Sequence, residues 1–173
     1  MTEIIILILL VFVIFLFLVI FLIFGLYIFD IFLPAPFVAS KKEVVGKMIK
    51  VAEIKTRDKV LDLGSGDGRL VIEAAAAGAV ATGVEKNPFL VLFSKIRAKF
   101  ARVKVEIIFG DIFSQNLGKA DIIFLYLNPK MLAKLAPKLK AETKKGTKIV
   151  SNTYEIPNFR PIAIFDNIFL YKI

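Results

Sequence analysis

The chain has no cysteine, no histidine and no tryptophan among its 173 residues. Without cysteine there are no disulfides, no thiol nucleophile and no iron–sulfur cluster, and without histidine the usual zinc sites also go. Chemistry here must come from carboxylates, hydroxyls, amides, backbone groups or a bound organic cofactor. No metal site is expected. Charge is missing too, but only locally: from Ile4 to Phe29, 26 residues carry none, and every Lys and Arg lies at or beyond Lys41.

What is there begins with that run. As a helix at about 1.5 Å per residue it spans roughly 39 Å, more than the hydrocarbon core of a bilayer. A cleaved signal peptide is the rival reading, but it would have a shorter apolar stretch after a positive leader and a small-residue cleavage site. We therefore expect a retained single-pass anchor over residues 1–33 and a second domain over 34–173. That domain holds 24 basic and 13 acidic residues, a net +11. By the positive-inside rule it lies on the cytoplasmic face of the cell membrane. Its charge suits an anionic leaflet, and its scattered lysines lack the interleaved aromatics of a base-stacking surface. No nucleic-acid partner is expected.

"FLPAPFVAS", residues 32–40, reads as the linker, and Ser40 with Glu43 as a capping box opening a helix with Val44, Met48, Val51 and Ile54 on its apolar face. Strands and helices then alternate. "KVLDL", "AVATGVE", "VKVEIIFG", "ADIIFLYLN" and "TKIVSNTYEI" read as strands. "RLVIEAAAAG", "PFLVLFSKIRAKFA" and "PKMLAKLAPKLKAE" read as helices, and "PIAIF" and "IFLYKI" close the chain as a hairpin. The fold class is α/β: a doubly wound, seven-stranded, mostly parallel sheet.

The densest signal is "VLDLGSGDGRL". Gly64, Gly66 and Gly68 stand at the carboxyl end of the first strand, where such sheets bind ligands. The spacing is not the dinucleotide G-x-G-x-x-G, and the lysine of a phosphate-binding P-loop is absent. Asp62 precedes the loop, and an acid there suits a cation better than a phosphate. Glu85 ends the second strand and can accept from two ribose hydroxyls. Asp111 follows the third and can accept from an adenine amino group, with Ile112 against the ring. Three acids at successive strand ends suit S-adenosylmethionine, which carries an ammonium, a sulfonium and a ribose but no phosphate.

"LDLGSGDGRL", "GVEKN" and "GDIF" resemble motifs I, II and III of the class I S-adenosylmethionine-dependent methyltransferases. "PFVAS", the helix after it and "VSNTYEIPNF" resemble a narrower group. These are the short archaeal protein-lysine methyltransferases and their mitochondrial relatives that modify an ATP synthase subunit and the adenine nucleotide translocase. The likeness covers nearly all of residues 34–173. It implies cofactor contacts at Phe37 and Ser40, at Leu63, Ser65 and Asp67 around the glycines, and at Lys86, Asn87 and Gly110 in the later motifs. It also implies a protein substrate, membrane-bound like those of the mitochondrial relatives. The group often has cysteine where this chain has Ser65. "YLNPKM" departs from the archaeal pattern beside the acceptor pocket, for which Tyr126, Asn128, Asn152, Tyr154 and Glu155 are the candidates.

Three other readings compete. Asn128-Pro129 begins like the motif of N6-adenine methyltransferases, but Lys130 and Met131 break it. A membrane-associated enzyme for a lipid, quinone or other small molecule is the alternative. A non-catalytic cofactor-binding module would be marked by loss of Asp62 or Glu85, and both are present.

Overall fold

The computed structural model describes residues 1–31 and 41–173, with the side chains of residues 26–31 outside the description. The expected roles of Phe37 and Ser40, and the linker, fall outside these residues. The chain divides into two units, Met1–Phe37 and Val38–Ile173.

In the first unit, α1 (Thr2–Ile31) is a single 30-residue helix. Its described side chains are almost all exposed, leucine, isoleucine, valine and phenylalanine on every face. A helix apolar all round belongs in protein interior or lipid. The stretch Thr2–Gly25 is long and apolar enough to cross a membrane.

The second unit runs α2 (Lys42–Ala52), β1 (Lys59–Leu63), α3 (Arg69–Ala76), β2 (Val80–Glu85), α4 (Pro88–Phe100), β3 (Glu106–Phe109), β4 (Ile122–Leu125), α5 (Pro129–Glu142), β5 (Lys148–Asn152), β6 (Ala163–Phe165) and β7 (Ile168–Lys172). A short 3-10 turn, Ile112–Ser114, follows β3. The strands form one sheet in the order β3-β2-β1-β4-β5-β7-β6. The first five are parallel, and β7 runs antiparallel to both β5 and β6. The doubly wound sheet with a C-terminal hairpin is therefore present. Strand order reverses beside β1, the switch point at which such sheets open a crevice.

Alternation along β4 shows how both faces are covered. Ile122 and Phe124 pack with Met48, Val71 and Val91 of α2, α3 and α4. Ile123 and Leu125 pack with Leu132, Leu135 and Leu139 of α5. All four strand residues are buried, as expected of a parallel strand clothed on both sides.

Two local expectations shift. The N-cap of α2 is Lys41, without a side-chain cap, so Glu43 does not stand at the third helical position that a capping box requires. The buried face of α2 is Val45, Met48 and Ala52, one step round from the expected stripe, with Val44, Val51 and Ile54 at its margin. The far end of α2 is instead held by Lys148, whose Nζ donates to the Ala52 carbonyl at 2.9 Å and to Glu53 Oε2 at 2.9 Å. A cation at a helix C-terminus satisfies its orphan carbonyls and its dipole.

A candidate cofactor and acceptor site at the strand ends

The glycine loop is built by backbone that only glycine takes easily. Gly64, Gly66 and Gly68 have φ of 88°, 55° and 74°. The loop is tied to β2 by hydrogen bonds from the Gly64 and Ser65 amides to the Val84 carbonyl, at 2.9 and 3.0 Å. Its approach to its neighbours is close. A Cβ on Gly68 would stand 2.8 Å from Ser94 Cβ, and one on Gly83 of β2 would stand 2.7 Å from Ser65 Oγ. Ser94, fully buried on α4, donates from its hydroxyl to the Gly66 carbonyl at 2.9 Å.

The acids divide their work. Glu85 Oε1 accepts from the Lys86 and Asn87 amides, both at 2.8 Å, and Oε2 accepts from the Gly66 amide at 2.9 Å. A carboxylate has about four acceptor positions, so three are used by backbone and the fourth lies on Oε2. A grip on two ribose hydroxyls at once requires release of at least one of these amides. Asp111 Oδ1 caps the 3-10 turn by accepting from the Phe113 amide at 2.9 Å, and Oδ2 stands 3.8 Å from Lys86 Nζ. Asn87 caps α4 by accepting from the Phe89 amide at 2.9 Å. The Gly110 amide donates to the Glu85 carbonyl at 3.0 Å, which joins the second and third motifs. Ile112 is buried in the layer under α5, so only its small exposed edge is open to a ring.

Asp67 is nearly buried, and its carboxylate is taken by two arginines. Arg69 donates from Nε at 2.8 Å and from a terminal nitrogen at 2.6 Å, and Arg97 of α4 donates to Oδ2. Burial alone would raise its pKa, but the Arg69 hydrogen bonds and the two guanidinium charges overcome this and hold it below the usual carboxylate range. Asp67 thus braces the loop through its side chain.

Asp62 is the opposite case. It is buried, makes no hydrogen bond to its carboxylate among the described residues, and its pKa is raised to about 7, first by burial and then by the charges of Glu85 and Asp67. An acid so placed is stabilised in its charged form by a cation. Bare loop backbone, an acid seeking positive charge, and the partly open acceptors of Glu85 and Asp111 fit a cationic nucleoside. They do not fit a phosphate. Among the described residues no cluster of acids could hold a metal ion.

The acceptor candidates meet at the neighbouring strand ends. Tyr126 and Asn128 follow β4, while Asn152 ends β5 and Tyr154 and Glu155 follow it; β4 and β5 are parallel neighbours, so all five reach the same rim. A Cβ on Gly64 would stand 3.2 Å from Leu127 Cδ2, so the cofactor loop lies against the Tyr126–Asn128 segment. Asn128 Oδ1 is occupied as the N-cap of α5, accepting from the Met131 amide at 2.9 Å. Asn152 is buried, and its side chain makes no hydrogen bond among the described residues. Tyr154 and Glu155 are exposed.

Sequence reading missed Gly83, Ser94 and Tyr171. Ser94 left a faint trace, a hydroxyl on the inward face of α4 between Val91 and Ala98. Tyr171 on β7 is buried, and its hydroxyl accepts from the Ile156 amide at 3.0 Å, which holds the loop after Glu155. Ser65 Oγ is buried with no hydrogen-bond partner among the described residues. The cysteine common at this position in the resembled group would tolerate that setting better.

Comparison with known proteins agrees with this geometry. Residues 62–163 match the family described as the ANTKMT methyltransferase domain. A protein-lysine N-methyltransferase of Saccharolobus islandicus is 33% identical over 135 residues, covering 73% of this chain and 81% of that one. An adenine nucleotide translocase lysine N-methyltransferase of Mus musculus is 30% identical over 135 residues, covering 76% of this chain; the match spans only 58% of the mouse protein. Among solved structures, an RNA methyltransferase from Salinibacter ruber in complex with S-adenosyl-L-homocysteine superposes with a TM-score of 0.72 at 36% identity, covering 78% of this chain and 91% of that one. The chain belongs to the ANTKMT methyltransferase-domain family, within the S-adenosylmethionine-dependent methyltransferases.

Proposed function

We propose that the protein is a membrane-anchored methyltransferase that modifies lysine side chains of membrane-bound proteins. The observation that carries the reading is the arrangement of Asp62, Glu85 and Asp111 at three adjacent strand ends around a backbone-lined loop. The kinship with a protein-lysine N-methyltransferase, most of whose length is matched, supports the acceptor.

S-adenosylmethionine, when bound, supplies a methyl group on a positively charged sulfur, open to in-line attack by a neutral amine. The loop backbone of Leu63 to Gly68 holds its amino-acid part, Asp62 balances its positive charge, Glu85 accepts from the ribose, and Asp111 accepts from the adenine. Lys86, Asn87, Gly110 and Ile112 frame that end of the site. What remains is positioning of the amine. A lysine is mostly protonated near neutral pH, with a pKa of about 10.4, and its approach to a buried cationic neighbour favours proton loss to water. No histidine base is needed. In this reading the Asn152 amide and the Tyr126 and Tyr154 hydroxyls orient the nitrogen lone pair, and Glu155, exposed at the rim, draws in a cationic side chain.

The anchor rests on α1, the described helix long and apolar enough to cross a membrane. A spanning α1 followed by a basic second unit supports, by the positive-inside rule, a catalytic domain on the cytoplasmic face of the cell membrane. A signal sequence shares the character of α1, and alkaline carbonate washing of membranes separates the two: an anchored chain stays with the pellet.

The deciding experiment is incubation of membranes with the enzyme and labelled cofactor. We expect methylated lysine on hydrolysis of membrane protein. Label found only in solvent-extractable lipid would assign the enzyme to a lipid or quinone instead.

A further inference from the structure

Helix α4 is apolar on two opposite faces. Val91, Ser94 and Ala98 are buried against the domain, while Phe89, Leu92, Phe93, Ile96 and Phe100 are 44–83% exposed. At about 100° per residue these five fall within a stripe roughly 100° wide, opposite the buried positions. Three phenylalanines, a leucine and an isoleucine turned outward on one helix form a patch that marks a docking surface.

The surrounding charge selects the occupant. Residues 86–105 contain six basic side chains and no acidic one; Arg97 is paired with Asp67 and Lys86 stands 3.8 Å from Asp111, which leaves Lys95, Lys99, Arg102 and Lys104 for an outside partner. Lys95 and Lys99 border the stripe along one side, and Arg102 and Lys104 follow its end. Two copies meeting through this face would set base against base, which disfavours self-association. A bulky apolar stripe with basic margins and no carboxylate is the pattern of a helix lying in an anionic membrane interface.

We infer that the outer face of α4 seats in the headgroup region of an anionic bilayer. The inference rests on the anchored reading for its tether. A membrane-spanning α1 would tether the second unit to the same bilayer and so raise its effective concentration at that surface. Because Asn87 both caps α4 and follows Glu85 closely, a membrane along α4 passes beside the cofactor rim. The acceptor lysine is then presented at the bilayer surface.

The absence of cysteine makes the test direct. Leu92→Cys, Ile96→Cys and, on exposed α5 surface, Lys140→Cys each carry one environment-sensitive fluorophore, and the full chain is reconstituted into phosphatidylcholine vesicles with or without phosphatidylserine. Spin-labelled lipid should quench positions 92 and 96 severalfold more than position 140 in the anionic vesicles, with the difference reduced by salt and in neutral vesicles. A Leu92→Glu, Ile96→Glu chain labelled at an added Phe100→Cys should lose the quenching while keeping its affinity for the cofactor. Retention of the chain through carbonate washing with positions 92 and 96 no more quenched than 140 overturns the inference and leaves the anchor standing. Release by carbonate with quenching preserved at 92 and 96 removes the anchor and upholds the α4 contact. A fluorophore shielded without quenching by lipid, and only at high protein density, gives the stripe to a second copy and also overturns it.

Discussion

Ser94, in the middle of α4, donates its hydroxyl to the carbonyl of Gly66 at 2.9 Å and so pins the glycine loop to a helix 28 residues further along. Ser94→Ala removes the donor and leaves a carbonyl unpaired, at a cost of about 1 kcal/mol. Thermal unfolding should register that loss, and calorimetry should show cofactor affinity weakened severalfold. Unchanged affinity would mean that the loop holds its shape without α4.

Gly83 supports the same loop from below. An added Cβ would meet Ser65 Oγ at 2.7 Å, Ser65 Cβ at 2.8 Å and Val71 Cγ2 at 2.9 Å. Gly83→Ala must displace Ser65, at about 1–3 kcal/mol for overpacking. Calorimetry should show cofactor affinity reduced about tenfold or more, an effect of roughly 1.4 kcal/mol.

Asp62 links pH to both folding and binding. Its folded pKa is about 7, against an ordinary value near 4, so between these pH values the folded state holds a proton that the unfolded chain has released. Stability contributed by this group is full below pH 4 and falls as pH rises toward 7, by up to about 4 kcal/mol. Asp62→Asn should therefore match the parent chain in acid and melt at a higher temperature at pH 8. Its cofactor affinity should drop, because the neutral amide cannot balance a cation. In the parent chain, affinity should tighten about tenfold from pH 6 to pH 8 as the carboxyl ionises; a flat profile would detach Asp62 from the ligand.

Asp67 runs the other way. Its pKa is held low, so its contribution is present above the ordinary aspartate value and fades as pH falls through the lower folded one. Asp67→Ala removes the carboxylate that Arg69 and Arg97 share and should cost about 2 kcal/mol, below a fully buried pair because both arginines are partly exposed. Denaturant unfolding at neutral pH checks this.

Tyr171→Phe takes the acceptor from the Ile156 amide while leaving the ring, which packs edge-on to Phe159 with centroids 6.1 Å apart. The loop carrying Tyr154 and Glu155 should loosen. We expect KM for the lysine substrate to rise severalfold with cofactor affinity unchanged, a split that general destabilisation would not produce.

Much of this was legible in the chain because local chemistry and tertiary structure agree. β1 and α5 occupy the residues expected, since the glycine loop ends one and Asn128-Pro129 starts the other. Strand ends were overestimated: β3 covers Glu106–Phe109, β4 Ile122–Leu125 and β5 Lys148–Asn152. Tyr126–Asn128 leave the sheet because Asn128 must cap α5, and the turn after Asn152 is held by Ser151 Oγ donating to the Tyr154 carbonyl at 2.7 Å. Gly83, Ser94 and Tyr171 were silent because each acts on a segment distant in sequence. No pattern in "VATGVE" reveals that Ser65 lies over its glycine.

Glu85 spends three acceptor positions on the amides of Gly66, Lys86 and Asn87. No uncharged isostere can serve those three donors: a glutamine would turn its own NH2 against at least one of them, whichever way the amide is flipped. The carboxylate is thus a keystone of the loop itself, and an inactive substitution here would report collapse of the cradle before it reported anything about nucleoside choice.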